Sequence, residues 1–187
     1  KKKIITDLDI FFLKNKVKKS IIVTGTNGKS TTCSLIHHVL KKNKIKNKLV
    51  GNIGKPILDL NFDKNCIYVI EASSFQLEYS NFIKPYCAAV LNISQDHLDW
   101  HGTKKNYILS KIKIFNNQTK NDIAFLNDIN LKRIYKKNNF KGKLRFLNKK
   151  AVKFENFQNR YLKLDANKDN VTFAYFITKL FQINKKK

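Results

Sequence analysis

Short apolar runs alternate with longer amphipathic stretches along most of the chain. The β-branched run at 21–23 is typical of a buried parallel strand, and apolar residues at helical spacing follow it from about 29 to 42. Further strands are predicted at 48–51, 66–71, 87–92, 123–127 and 144–147. Helices are predicted near 75–82, 104–115 and 129–137. Strands that alternate with helices indicate an α/β domain whose mainly parallel sheet is flanked by helices.

The C-terminal part of the pattern is less regular. Residues 151–164 are predicted to form short strands, and residues 167–181 a closing helix. Neither an internal repeat nor a flexible Gly/Ser linker interrupts the chain, so we expect a single domain over residues 1–187. Ligands of parallel sheets bind at the carboxyl ends of the strands, which is where the polar motifs described below lie.

Composition limits the class of protein. Hydrophobic residues make up 42% of the 187 positions, which excludes a disordered chain, and no apolar run reaches the ~18–20 residues of a membrane span. The sequence lacks methionine and begins with three lysines that no apolar core follows, so we expect a piece of a longer protein without a signal peptide. Cys33, Cys66 and Cys87 form no C-x-x-C pair and are interpreted as reduced thiols of a cytoplasmic protein.

The net charge of +25 raises the question of a nucleic-acid partner. Only Arg133, Arg145 and Arg160 are arginine among the 38 basic residues, whereas surfaces that read phosphates or bases usually depend on arginine. Abundant Lys, Asn, Ile, Phe and Tyr are also what A/T-rich codons encode. We favour this codon bias and expect no nucleic-acid partner, although a basic face would also attract a polyanionic substrate.

The strongest chemical signal is the sequence TGTNGKST at 24–31, between the first predicted strand and helix. Glycines let successive N–H groups point at phosphate oxygens, and the helix N-terminus adds its positive dipole end. The lysine supplies a charge for the β- and γ-phosphates, and the serine after it is placed to bind Mg²⁺. In the usual P-loop the first glycine would fall at Val23, so this loop is a shorter variant. The predicted ATP-binding residues here are Gly25, Thr26, Asn27, Gly28, Lys29, Ser30 and Thr31.

Two other side chains have both a plain and a functional interpretation. Glu71 ends a predicted strand, where its carboxylate would either bind Mg²⁺ or simply face solvent. Lys111 shares a predicted helix face with Tyr107 and Phe115 at i, i+4 and i+8. From this spacing alone, a lysine on a solvated face is the plainer interpretation.

Several blocks together resemble the Mur ligase family and the related folylpolyglutamate synthases. The loop at 24–31 resembles the family signature T-G-T-N-G-K-[ST]-T, and the resemblance extends from about residue 7 to residue 181. Further blocks follow in the family's order: GNIG at 51–54, EASSFQLE at 71–78, NISQDHLD at 92–99 and YxxxKxxIF at 107–115. The GNIG and SSFQLE blocks are similar to those of the family members that add D-glutamate.

The resemblance implies an ATP-dependent, ADP-forming amide ligase of peptidoglycan biosynthesis. ATP would phosphorylate the terminal carboxylate of UDP-N-acetylmuramoyl-L-alanine, and the amine of D-glutamate would then attack the acyl phosphate. The chain would be the central, P-loop NTPase-like domain, with the UDP-binding and amino-acid-binding domains absent. We therefore expect a monomer whose residues 1–187 alone bind nucleotide weakly and form no amide bond.

The resemblance also implies roles for individual residues. Lys29, Glu71, His97 and Lys111 would be the catalytic residues, and two Mg²⁺ sites would be held by Ser30, Glu71, His97 and Lys111. The matching lysine of the family is carbamylated by CO₂, which turns an ammonium into an anion that can bind metal. Such a change requires a neutral amine and therefore a lowered pKa. Imidazole is an unusual ligand for Mg²⁺, so the role of His97 rests on the resemblance alone.

Ligand contacts are implied at two more places. Asn167 and Asn170, near the start of the last predicted helix, resemble the adenine-contacting asparagines of the family, although helix capping is a rival interpretation. The family's preceding histidine is Ala166 here, which weakens the match. The positions that face the UDP-sugar substrate match Asn52, Ser73 and Gln76, and Asn52 would equally serve as a turn residue.

Three other functions compete with this interpretation. A sister ligase specific for another amino acid, or a folylpolyglutamate synthase, is the nearest alternative. A basic P-loop NTPase stimulated by DNA or RNA is the second, and it predicts affinity that falls steeply with salt. A non-catalytic nucleotide-binding remnant is the third.

Overall fold

A computed structural model describes residues 4–181. The three lysines that open the sequence, and with them the expectation of no signal peptide, lie outside the described residues. The last six positions of the expected 1–187 domain lie outside them as well.

Six strands form one parallel sheet in the described part of the chain. They are β1 (Ser20–Thr24), β2 (Asn47–Gly51), β3 (Ile67–Glu71), β4 (Cys87–Val90), β5 (Ile123–Leu126) and β6 (Lys143–Phe146). Their order across the sheet is β2-β3-β1-β4-β5-β6, with every pair parallel. The chain passes from β1 to the edge strand β2, returns to β3 between these two strands, and then crosses to β4 on the other side of β1. The loop after β1 therefore lies at the switch point where ligands of such sheets bind.

Helices cover both faces of the sheet. They are α1 (Asp7–Lys14), α2 (Lys29–Lys42), α3 (Ser74–Tyr79), α4 (Leu98–His101), α5 (Lys104–Ile112), α6 (Ile129–Lys137), α7 (Arg160–Lys163) and α8 (Asp165–Lys179). The predicted α/β class with a mainly parallel sheet is confirmed. None of the described helices is long and apolar enough to cross a membrane.

Alternating strand residues divide the apolar interior into two layers, because successive side chains of a strand point to opposite faces. Ile22 of β1 packs in the layer shared with α1, α3, α5 and α6. Its neighbours Ile21 and Val23 pack in the layer shared with α2 and α8, which includes Ile36 and Phe173. Helix α2 is thus held between the sheet and α8, which fixes the start of this helix next to the end of β1.

The prediction of short strands at 151–164 is wrong. This segment contains the 3₁₀ turns Lys149–Ala151 and Phe154–Asn156 and the short helix α7. The rings of Phe154 and Phe157 lie 6.1 Å apart at i, i+3 spacing, which is a helical rather than an alternating contact. Asn159 begins α7 by accepting a hydrogen bond from the amide of Tyr161.

Other element boundaries shift for local reasons. The helix predicted at 75–82 ends at Tyr79, because the amides of Asn81 and Phe82 donate to the buried carboxylate of Asp9 instead. The helix predicted at 104–115 is α-helical to Ile112 and continues as the 3₁₀ turn Lys113–Phe115. Cys66 precedes β3 rather than beginning it, and all three cysteines are buried free thiols.

Candidate functional site

The loop between β1 and α2 depends on a glycine conformation. Gly28 is the N-cap of α2 and has φ +82°, in the left-handed region that favours glycine. A Cβ atom at this position would lie 2.0 Å from Oδ1 of Asn170 in α8. The residue is therefore fixed as glycine by both its backbone conformation and the approach of α8.

The segment that follows β4 fastens this loop. The side-chain oxygen of Asn92 accepts from the amide of Asn27 at 2.9 Å, and its side-chain nitrogen donates to the Asn27 carbonyl at 3.0 Å. Thr26 Oγ1 accepts from the amide of Ser94 at 3.0 Å. These contacts leave the loop curled before any ligand binds. Asn92 has no predicted role beyond opening the block at 92–99, although a polar residue directly after a predicted strand is the signal that indicates one.

Two lysines converge on one carbonyl of the loop. Lys29 Nζ donates to the carbonyl oxygens of Gly25 and Thr26 at 3.0 and 2.8 Å. Lys111 Nζ, from α5, donates to the same Gly25 oxygen at 2.9 Å and to Thr24 Oγ1 at 3.5 Å. Lys111 of α5 therefore contacts the loop between β1 and α2, although the two segments are far apart in sequence.

Lys111 differs from the other lysines whose side chains the structure describes, because its side chain is buried. Only 1% of it is exposed, and its Nζ lies 4.6 Å from the ring centroid of Tyr107. Desolvation, and then the charge of Lys29, lower the pKa of Lys111 from 10.5 to about 7. The interpretation of Lys111 as a lysine on a solvated face is wrong, and a neutral amine is available near neutral pH.

Glu71 lies on the strand that neighbours β1 on the side away from β4. It ends β3 next to Val23 of β1 and is 2% exposed, so the interpretation as a solvent-facing acid is wrong. Its Oε1 accepts from the side chain of Asn52 at 3.0 Å, and its main-chain carbonyl accepts from the Asn52 amide. Asn52 is thus more than a turn residue, because it orients this carboxylate. Within residues 4–181, the Oε2 atom of Glu71 is buried and has no hydrogen-bond partner.

His97 lies at the start of α4 with part of its side chain in solvent. Its backbone is left-handed, with φ +49° and ψ +36°, which is uncommon for a residue other than glycine. The imidazole centroid lies 5.0 Å from the ring of Phe75 and 6.3 Å from that of Tyr107. Tyr107 also shares a hydrogen bond of 3.1 Å with Thr26, so the aromatic cluster touches the loop.

These side chains fit a magnesium ion in part. Asn52 orients the Glu71 carboxylate through Oε1, which leaves Oε2 without a partner. A hard anionic oxygen of this kind is the ligand that Mg²⁺ prefers. Ser30 is exposed in the first turn of α2. The part of the chain that the structure describes contains no group of three or more His, Cys, Asp and Glu side chains arranged for a metal. A cation here would therefore need further oxygen ligands, which phosphates or a modified Lys111 would supply.

Ser73 and Gln76 form a capping box at the start of α3. Ser73 Oγ accepts from the Gln76 amide at 3.2 Å, and Gln76 Oε1 accepts from the Ser73 amide at 3.1 Å. Gln76 Nε2 also donates to both carboxylate oxygens of Asp7. Both residues therefore stabilise the segment that directly follows Glu71, and their predicted substrate contacts stay predictions.

Asn167 and Asn170 form a small buried network beside the loop. Helix α8 begins at Asp165 with Leu164 as its N-cap. The interpretation of these asparagines as helix caps is therefore wrong. Asn170 Nδ2 donates to Asn167 Oδ1 at 3.3 Å, and Thr32 Oγ1 of α2 donates to Asn170 Oδ1 at 3.3 Å.

A cleft of about 650 Å³ opens on the outer side of α2. It begins at Thr31, directly after the loop, and is bounded on the far side by α7. The carbonyl of Tyr161, which lines the cleft, accepts from Nδ2 of Asn167. The cleft thus shares Thr31 with the start of α2 and Tyr161 with the asparagine network, and its volume is within the usual range for a bound small molecule.

Comparisons with known proteins agree with this arrangement. The UDP-N-acetylmuramoylalanine–D-glutamate ligase of Wolbachia pipientis is 52% identical over 115 residues, which is 61% of this chain and 22% of that protein. The ligase of the same name in Rickettsia prowazekii is 45% identical over 124 residues, covering 66% of this chain and 28% of that protein. The chain thus spans about a quarter of the length of these relatives.

Solved structures show the same fold. A UDP-N-acetylmuramoyl-L-alanyl-D-glutamate–2,6-diaminopimelate ligase matches with a TM-score of 0.67 and 21% identity, over 90% of this chain and 44% of that one. The MurF ligase of Thermotoga maritima, in complex with ADP, matches with a TM-score of 0.57 and 23% identity, over 74% of this chain and 36% of that one.

The family assignment rests on a match over most of the chain. The description of the matching family is "Mur ligase middle domain", and the match extends over residues 23–186. It includes the loop, both converging lysines and the acid at the end of β3. The resemblance noted from the sequence is confirmed, and the chain belongs to the Mur ligase family as a middle domain.

Proposed function

We propose that this chain is the ATP- and magnesium-binding part of a ligase that joins D-glutamate to UDP-N-acetylmuramoyl-L-alanine. The observation that carries the proposal is the meeting of Lys29 and Lys111 on the Gly25 carbonyl, directly after β1, while the neighbouring strand β3 ends at Glu71 with its unpartnered oxygen. The relatives that share 42–52% identity with it carry the name of that ligase. The ligase would act in the cytoplasm as a monomer, as part of peptidoglycan biosynthesis.

The nucleotide would bind along the loop. Its β- and γ-phosphates would take the place of the main-chain carbonyls as partners of Lys29, and the amides at the start of α2 would contact phosphate oxygens. We assign the base to the cleft beside α2, next to Asn167 and Asn170. The curled loop reduces the ordering that binding requires, since Asn92 already holds it.

Magnesium would be held by Ser30 and Glu71, with His97 and a carbamylated Lys111 completing two sites. The ions would neutralise negative charge on the transferring phosphoryl group. Carbamylation requires the neutral amine, and burial beside Lys29 provides it by lowering the pKa of Lys111 to about 7. The carbamate would replace a buried cation with an anion that the nearby ammonium of Lys29 stabilises.

The reaction would then proceed in two steps. A carboxylate oxygen of the L-alanine end attacks the γ-phosphorus, and ADP leaves with the bridging electron pair. The D-glutamate amine attacks the acyl phosphate carbonyl, loses a proton, and the tetrahedral intermediate expels phosphate to leave an amide. The residues of this chain orient the phosphates and offset their charge, and no covalent bond to the protein is formed.

The substrate would approach from the Asn52 side. Asn52, Ser73 and Gln76 all lie close in sequence to the ends of β2 and β3, at the edge where Glu71 ends its strand. In this proposal Asn52 has two functions, because it orients Glu71 and faces the sugar. Ser73 and Gln76 would contact the substrate through the outer atoms of their capping box.

The test is a phosphate-release assay on a longer protein that contains this chain, because residues 1–187 alone are expected to bind nucleotide and to form no amide bond. With ATP, Mg²⁺ and UDP-N-acetylmuramoyl-L-alanine, we expect release that requires D-glutamate and is not supported by L-alanine. A Lys29→Ala variant serves as the matched control and should be inactive. Turnover with another amino acid instead would favour a sister ligase or a folylpolyglutamate synthase. ATPase activity stimulated by DNA or RNA would favour the basic NTPase, and no turnover in any longer protein would favour the remnant.

A further inference from the structure

His97 lies in a backbone conformation that its own short helix does not stabilise. Residues other than glycine avoid the left-handed region, at a cost of about 1 kcal/mol or more. Helix α4 has only four residues, and helices of this length are not stable by themselves. The surroundings must therefore fix the position of His97.

The buried end of the same helix provides such a fixed point. His101 is 6% exposed, and its amide donates to the His97 carbonyl at 3.0 Å. Its Nε2 shares a buried hydrogen bond of 3.1 Å with Oγ of Ser74, which is 2% exposed at the start of α3. Its carbonyl accepts from the side chain of Asn106 at 2.9 Å. The residue thus joins α4 to both α3 and α5.

The ring of His101 also organises the aromatic residues that flank His97. It lies nearly parallel to the ring of Phe75, with centroids 5.7 Å apart and an interplanar angle of 23°. It meets the ring of Tyr107 at 5.1 Å in an edge contact. These are the same two rings that His97 contacts, so displacement of His101 would move both neighbours of His97 together.

We propose that His101 is a positioning residue that, through its hydrogen bond to Ser74, holds His97 and its two aromatic neighbours next to the phosphate loop. The reason for such a device rests on the proposed function, in which His97 binds metal. The contacts of His101 with Ser74, Phe75 and Tyr107 are present without any ligand, so the experiment uses the chain without nucleotide or metal.

The experiment follows the imidazole signals of the chain by NMR in the absence of nucleotide and metal. The sequence has four histidines, and His37, which every variant retains, serves as the internal reference. In His101→Phe and in Ser74→Ala, we expect the His97 signals to lose the ring-current shifts of Phe75 and Tyr107 and to move toward exposed-histidine values. His101→Gln, whose amide can still reach Ser74, should restore part of the shift. His38→Phe, on the exposed face of α2, is the matched control and should leave the His97 signals in place.

Two outcomes would overturn the inference. One is an unchanged set of His97 signals in both His101→Phe and Ser74→Ala with the fold retained. The other is a His101→Gln variant that moves His97 as much as His101→Phe does, because the hydrogen bond would then have no role. Ser74→Ala removes a single oxygen and keeps the test available should the ring replacement unfold the chain. A subsequent titration with ADP and Mn²⁺ separates the two proposals, since broadening of the His97 signals tests its metal role alone.

Discussion

Lys29 and Lys111 donate to the same main-chain oxygen, that of Gly25, at 3.0 and 2.9 Å. Two ammonium groups that share one acceptor repel each other, and only Lys111 is almost fully buried. The repulsion is relieved when Lys111 is neutral, which agrees with its pKa of about 7. The pair thus combines a permanent cation for phosphates with an amine that is ready for modification.

Replacement of Lys29 by alanine should weaken nucleotide binding strongly. Charge-assisted hydrogen bonds to phosphate contribute about 2–3 kcal/mol, so the dissociation constant for ADP should rise by between about 30-fold and 150-fold. Calorimetric titration measures this directly. Lys42→Ala, an exposed lysine at the other end of α2, is the control and should bind as the unchanged chain does. Equal weakening by both variants would show that general charge, rather than the loop, attracts the nucleotide.

Lys111→Met should stabilise the fold in a way that depends on pH. The pKa of Lys111 falls from 10.5 in the unfolded chain to about 7 in the folded one, so the unfolded chain binds more protons between these values. The penalty of burying the ammonium is complete below about pH 7 and disappears as the pH rises toward 10.5. In CO₂-free buffer, we expect Lys111→Met to increase the free energy of unfolding by about 4 kcal/mol more at pH 6 than at pH 10. A gain that is constant with pH would contradict the lowered pKa.

Lys111 should also take up CO₂. At about pH 8 an amine with a pKa of about 7 is about nine-tenths neutral, whereas an ordinary lysine is almost fully protonated. With ¹³C-bicarbonate, a single carbamate signal should appear in the carbon NMR spectrum and weaken below about pH 6. Lys111→Met should remove the signal, and Lys105→Ala, an exposed lysine of the same helix, should retain it. A signal that survives in Lys111→Met would assign the carbamate to another amine.

The contact between Gly28 and Asn170 predicts a measurable coupling. Gly28→Ala introduces both a strained φ and a Cβ that would lie 2.0 Å from Asn170 Oδ1, so we expect a loss of about 3 kcal/mol in stability. Combined with Asn170→Ala, the loss attributable to Gly28→Ala should fall to about 1 kcal/mol. Gly102→Ala is the matched control, because its φ is +72° and nothing lies within 4 Å of the new Cβ. Chemical denaturation measures all the variants, and additive effects would contradict the contact.

The sheet and the phosphate loop were predictable because their signals are local. A β-branched run that breaks at glycines before an amphipathic helix requires no distant partner for its interpretation, and β1, α2 and the loop lie where the pattern predicts. The turns at 149–157 were not predictable in this way. Phe154 and Phe157 are aromatic residues that suit strands, but in the described sheet they pair with no strand and contact each other across a 3₁₀ turn instead.

The sequence predicted which residues belong to the site, but it did not predict the contacts that these residues make. Resemblance identified Lys111, yet its spacing on α5 suggested a solvated lysine, because burial against β1 depends on how α5 packs. Asn92, Tyr107 and His101 support the loop and His97 through contacts with residues far away in sequence. Sequence spacing contains no record of such contacts, since they arise only when separate elements meet at one edge of the sheet.

The most direct test of a joint nucleotide and magnesium site measures ADP affinity with Mg²⁺ and with EDTA, in the unchanged chain and in Glu71→Gln. The substitution keeps the shape of the side chain and removes its charge. We expect Mg²⁺ to strengthen ADP binding by about 10-fold or more in the unchanged chain, and this gain to be lost in Glu71→Gln while binding in EDTA stays the same. An affinity that ignores Mg²⁺, or a magnesium effect that persists in Glu71→Gln, would contradict a joint nucleotide and magnesium site around the Gly25 loop.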